Sequence, residues 1–299
     1  TTTNVAGQYL GALTLNALGS SSASDGVIKL NSSIQVDPQS ARDAITIKST
    51  DVRLNVSANT QFTFDTNVTA GNQAGNVNLS QATISGVNSG ITVTIDTSSS
   101  TDGRAGGIEL GGFSNAGGQY INAITATATD GTGTGGTVGL NRDVKLDFAT
   151  SAGSLVVDNG NASVIVRSTL TLDTEQGNTD SAGQVLLGTS SLTSAAAPIS
   201  AASTGLTLTI DTSTTQAGKS GGAISLGAIG NSGGGQYLGA LVVDATGPGG
   251  DGTVRLNNSI SVDPNAVGDA ITLRSGDVRL MPTGTSSFVF DTNAGSATQ

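Results

Sequence analysis

Apolar and polar residues alternate along this chain in short bursts. LTLN at 13–16, ITIK at 45–48, FTFD at 62–65, VTID at 93–96, ITAT at 124–127 and LVVD at 155–158 share one pattern. LTLD at 170–173, LTID at 208–211, LVVD at 241–244, ITLR at 271–274 and FVFD at 288–291 continue it. Positions one and three are almost always Leu, Ile, Val or Phe, and positions two and four are mostly polar, a period of two that predicts strands with one buried face. A Gly/Ser/Thr-rich loop usually follows, then a V/I-x-L strand, as at 28–30, 52–54, 138–140 and 254–256, and in several units a third short strand, as at 34–37, 144–147 and 260–263. Three strands per circuit predict a coil of triangular section. Successive first strands step by 31 residues from 62 to 155 but by only 15 to 17 from 45 to 62, 155 to 170 and 271 to 288. Taking every step as one coil gives an all-β, right-handed parallel β-helix (β-solenoid) of ten to eleven coils. At about 4.8 Å per coil the rod is on the order of 50 Å long.

A longer period contains the short one. GQYLGALTLN opens at Gly7, GQYINAITAT at Gly118 and GQYLGALVVD at Gly235, 111 and 117 residues apart. Each copy reads as three long coils and one short, a four-coil super-repeat. The pattern predicts one continuous solenoid over residues 1–299, with stacked Leu/Ile/Val rows and Phe62, Phe64, Phe288 and Phe290 as its bulky core members. Neither end carries the atypical repeat that caps a solenoid, and no leader pattern precedes Thr1, so a segment cut from a longer chain is expected. Its end-to-end partners would be flanking repeats or other copies of itself.

Composition narrows the function classes. Aromatics are 3% and charged residues 11%, Gly is 43 of 299, and there is no Trp or His. Strict alternation separates this polar chain from a disordered one. A net charge of −10 opposes nucleic-acid binding, and no apolar run reaches the roughly 18 residues of a membrane span. Without Cys or His, disulfides, thiolate or imidazole metal sites and Ser-His-Asp triads are excluded.

Position four of the first strands is the main surface feature. If the first strands form one column, Asp158, Asp173, Asp211 and Asp244 stack at about 4.8 Å, where calcium could bridge them. The competing reading gives each Asp to its own turn. Lys48 beside Asp65, and Arg274 between Asp244 and Asp291, read as ladder charge pairs. Position two gives a threonine column (Thr14, Thr46, Thr63, Thr94, Thr125, Thr171, Thr209, Thr272), which serves as strand former or, as a minor option, an ice-binding face. Asp173, Glu175 and Asp180 are the nearest approach to a polysaccharide-cleaving carboxylate group, on a stretch from 173 to 202 that reads as a long loop. Tyr9, Tyr120 and Tyr237 recur with the super-repeat. The glycine runs at 131–136 and 233–235 are not phosphate loops, since no Lys-Ser/Thr closes them. No catalytic, cofactor-binding or metal-binding residue is assigned.

The blocks LTIDTSTTQAGKSGGAISLG at 208–227 and GTVRLNNSISVD at 252–263 resemble, in repeat style, those of very large bacterial surface and secreted β-helix proteins. These are the filamentous-haemagglutinin-like adhesins and related passenger domains. The resemblance covers the whole chain. It implies an extracellular or cell-surface rod that serves as stalk, adhesin or matrix fibre, without catalysis or cofactor, touching other repeats and surface glycans or matrix. A polysaccharide-binding or polysaccharide-cleaving β-helix is the alternative.

Overall fold

A computed structural model describes residues 9–21, 24–38, 42–68, 73–100, 105–132, 135–147, 155–177, 180–192, 197–231, 236–264, 268–281 and 287–295. Gly7, Gly235 and the glycine run at 233–235 lie outside them, as do both chain termini. The described residues hold strands and no α-helix, and neighbouring strands pair in parallel. The architecture is a parallel β-solenoid.

The chain visits three columns in fixed order. The first holds Leu13–Asn16, the leading halves of Asp43–Leu54 and Asn76–Gly86, then Ile108–Leu110, Val138–Leu140, Val164–Val166 and Ile199–Ala201. Bridges at Ile229 carry this column on to Ile260–Ser261 and Phe290–Asp291. The second column holds Val27–Leu30, the trailing halves of the two long strands, Gly112–Phe113, Val144–Lys145, Leu170–Asp173, Thr207–Asp211, Ala240–Asp244 and Ile271–Arg274. The third stacks nine strands from Ile34–Gln35 to Asp277–Leu280, which is eight turns and about 40 Å of rise.

Eight turns replace the ten to eleven expected, because the short steps are not coils. Ile45 sits in the first column and Phe62 in the third, with each pairing elsewhere (Ile45 with Leu13 and Val77, Phe62 with Val93). Likewise Leu155 belongs to the third column and Leu170 to the second. A step of 15 to 17 residues is therefore two-thirds of a turn. The super-repeat is three and two-thirds turns rather than four coils. Its equivalent strands at Leu13, Ile124 and Leu241 land in the first, third and second columns respectively. Each copy is rotated by one face from the last.

The Asp-Thr pair that ends many first strands locks the loop after it. Thr66, Thr97, Thr174 and Thr212 are buried, and their hydroxyls donate to the carbonyls of Gly75, Gly106, Gly183 and Gly222 at 2.7, 2.7, 2.9 and 2.8 Å. Gly106 N and Gly222 N return bonds to the carbonyls of Thr97 and Thr212 at 2.9 and 2.8 Å, closing the loop at its base. These glycines stack so tightly that a Cβ on Gly106 would lie 2.1 Å from Gly75 O, and one on Gly222 1.9 Å from Gly183 O. Because the motif moves with the super-repeat, loops 66–75, 97–106 and 128–136 follow the third column, whereas 174–183, 212–222 and 245–252 follow the second.

Inward positions form one apolar cluster running the length of the rod. Phe62 and Phe64 are fully buried with ring centroids 5.0 Å apart, and Phe113 joins them in the core. Phe288 packs only partly against the cluster and Phe290 is 46% exposed, so the second pair caps the last layer rather than filling the core.

Candidate functional site

The register rearranges the surface ladders. In the second column Lys145, Asp173, Asp211, Asp244 and Arg274 are successive partners, so three aspartates run between two cations. Asp158 is not among them; it pairs with Thr127 in the third column. Lys48 faces Asn16 and Gln81 rather than Asp65, and Asp291 faces Ser261. Arg274 does reach Asp244, at 3.4 Å. The threonines divide likewise: Thr14 beside Thr46, Thr94 between Thr63 and Thr125, Thr171 beside Thr209, with Val242 between Thr209 and Thr272. These eight threonines form no single face.

Each ladder aspartate holds its own turn. Asp173 accepts the backbone N–H of Glu175 at 3.0 Å, Asp211 that of Ser213 at 2.9 Å and Asp244 that of Thr246 at 3.1 Å. Asp65, Asp96 and Asp291 repeat the geometry. Burial raises the Asp173 pKa, the neighbouring Asp211 raises it further, and the Glu175 N–H and Lys145 oppose the shift. Among the described residues no group of three or more acidic side chains is arranged to hold a metal ion.

Asp173, Glu175 and Asp180 are linked through the backbone, Asp173 accepting the Glu175 N–H and Glu175 the Asp180 N–H. Glu175 is 2% exposed and accepts the Asp180 N–H at 3.0 Å, while Asp180 pairs with Lys219 at 2.8 Å. Asp147 bridges Glu175 through the backbone, and burial followed by Asp180 raises its pKa. Tyr120 is raised by burial and then by Asp147 and Asp173. The segment 173–202 is not one loop, since it contains the strands Val185–Leu187 and Ile199–Ala201. Tyr9, Tyr120 and Tyr237 precede strands of the first, third and second columns, so they form no aromatic patch.

One feature escaped the sequence pattern: a notch of about 430 Å³ at the corner between the first and second columns. Ile108–Leu110 and Gly112–Phe113 are joined by Gly111 alone, whereas residues 141–143 and 167–169 make the same corner in the next two coils. A Cβ on Gly111 would lie 2.1 Å from Leu79 O, so this coil cuts the corner against the one below. Thr83, Ser114, Asn141, Arg142, Asp143, Lys145, Ser168 and Thr169 provide the polar lining. Arg142 Nε donates to Ser80 O at 3.0 Å, reaching across the short coil. Arg167 makes a matching two-coil reach, pairing with Glu109 over Gly139, where a Cβ would lie 2.1 Å from the Glu109 carboxylate. The signal available in the sequence was local charge density: N-R-D-V-K-L-D at 141–147 is the most charged stretch of a chain that is only 11% charged.

No protein-family model, curated protein or solved structure matches the chain. No helix among the described residues is long and apolar enough to cross a membrane.

Proposed function

We propose that this chain is a stretch of an extracellular bacterial rod, structural or adhesive, that carries out no catalysis. The observation behind this reading is the three-column parallel ladder over a single core. Such a ladder distributes axial load over parallel backbone hydrogen bonds in every coil. The carboxylates best placed for polysaccharide chemistry hold turns and an ion pair instead. The end layers expose Leu10, Leu18 and Val27 at one end and Val278, Leu280, Met281, Val289 and Phe290 at the other, surfaces suited to a neighbouring coil. The repeat style supports export to the cell surface.

Pulling the chain end to end in single-molecule force spectroscopy tests the mechanical half. The expected record is a series of ruptures, each releasing roughly 100 Å, the contour of one coil. Collapse in one event, or release of reducing ends from polysaccharides by the purified chain, contradicts the reading.

A further inference from the structure

We propose that the notch beside Gly112 is a subsite for a carboxylate-bearing sugar residue of a polysaccharide. The inference rests on the adhesive half of the reading above and gives it a place and a ligand chemistry. The chain is strongly acidic, at −10, yet the notch is lined by two cations, Arg142 and Lys145, and one carboxylate, Asp143. That carboxylate spends one oxygen on the Thr171 N–H at 2.9 Å, which leaves two cations against one anion in the lining. Arg142 is held by its Nε on Ser80 O, and its terminal nitrogens make no hydrogen bond among the described residues. A guanidinium fixed on one edge presents the other to an anion, and a carboxylate matches that fork. Lys145 adds a second positive charge from the same coil, one that also faces Asp173 across the ladder.

The rest of the lining selects a hydroxyl-rich ligand. Thr83, Ser114 and Thr169 carry hydroxyls, of which Ser114 and Thr169 accept backbone N–H groups and keep their own protons to donate, while the Asn141 amide and the Ser168 hydroxyl are spent on Glu109, Leu110 and Asn141 O and shape the wall. The one large apolar side chain there, Phe113, is buried beneath the floor. A peptide would find no apolar pocket for a side-chain anchor, whereas a sugar ring needs hydrogen-bonding groups around its rim.

The site has a structural cause. Gly111 lets one coil cut its corner, and Gly112 adds no side chain to refill the space. Open, solvated contacts of this kind bind weakly, with a Kd of about 1 mM for one residue. Affinity in a longer adhesin would come from repetition.

The test is amide NMR titration of the intact chain with hexagalacturonate, neutral maltohexaose, acetate and a hexaglutamate peptide, on wild type and Lys145→Gln. Lys29→Gln, in the first coil, is the control. The proposal expects hexagalacturonate to shift resonances at 112–114, 141–145 and 168–169. It expects binding to weaken about tenfold in Lys145→Gln and to stay unchanged in Lys29→Gln. It is overturned if maltohexaose or acetate binds as well, if the peptide binds more tightly, or if Lys145→Gln binds like wild type. Shifts elsewhere with the notch silent overturn the notch and leave the adhesive reading standing. Force curves without stepwise rupture overturn the rod and leave the notch result as it is.

Discussion

At the scale of single residues, glycine and threonine do work that hydrophobic patterning does not describe. Gly222 sits where the backbone of one coil rests on the next, and a methyl group there would lie 1.9 Å from Gly183 O. Backbone cannot swing aside as a flexible side chain can, so Gly222→Ala is expected to cost about 3 kcal/mol, the upper range for overpacking. Gly268 has nothing within 4 Å of the same hypothetical atom among the described residues. Gly268→Ala should change stability by less than about 0.5 kcal/mol. Urea unfolding followed by far-UV circular dichroism checks both, and equal losses would mean that the glycine stack is not a close contact. The Asp-Thr pairs were plain in the sequence, and the assignment of Asp to its own turn is what the geometry shows. The threonine's role was not legible, because its acceptor is a glycine carbonyl nine or ten residues further on.

At the scale of strands and ladders, the second column places Asp173, Asp211 and Asp244 side by side, with Lys145 and Arg274 at the ends. The Asp173 pKa lies above its ordinary 3.8 in the folded chain, as does that of Asp65, burial being the first cause for both. A raised folded pKa means that the fold holds protons more tightly than the unfolded chain. Stability from these groups is therefore complete below 3.8 and lost as pH rises through the raised values. Asp277, lowered by its hydrogen bond from Arg279, acts in the opposite sense, losing its contribution only as pH falls below 3.8. The urea midpoint should thus rise as pH falls from neutral towards 3.8. Asp173→Asn keeps an acceptor for the Glu175 N–H and removes the charge. It should stabilise the neutral-pH rod by about 0.5 kcal/mol, in the range of cross-strand pairs, and flatten the pH dependence. A steeper dependence in the variant would contradict the ladder. Period-two alternation identified the strands but not their columns, because a strand with one buried face looks the same on any side of the rod. Asp158 and Asp173 share a pattern position, yet they stand in different columns.

At the scale of the whole molecule, the super-repeat and the coil do not share a period. One copy spans three and two-thirds turns, so it climbs about 18 Å and shifts by one face. Equivalent loops thus emerge at successive corners, and three copies bring the pattern back to its starting face. A rod built this way presents the same loops in all directions instead of along one stripe. The notch falls where the loop-bearing corner has moved away, so the strand pattern does not mark it and only the charged stretch at 141–147 does. The rotation of successive copies can be read from spin-label pairs, because the chain has no native Cys. Labels at Thr171→Cys and Thr209→Cys sit on register partners, while labels at Val156→Cys and Thr171→Cys sit in different columns although the sequence pattern makes them successive. Rotation predicts strong spin exchange in the first pair, about 5 Å apart between backbones, and none in the second, beyond about 10 Å. Exchange in the Val156–Thr171 pair would restore a single column of first strands and contradict the account.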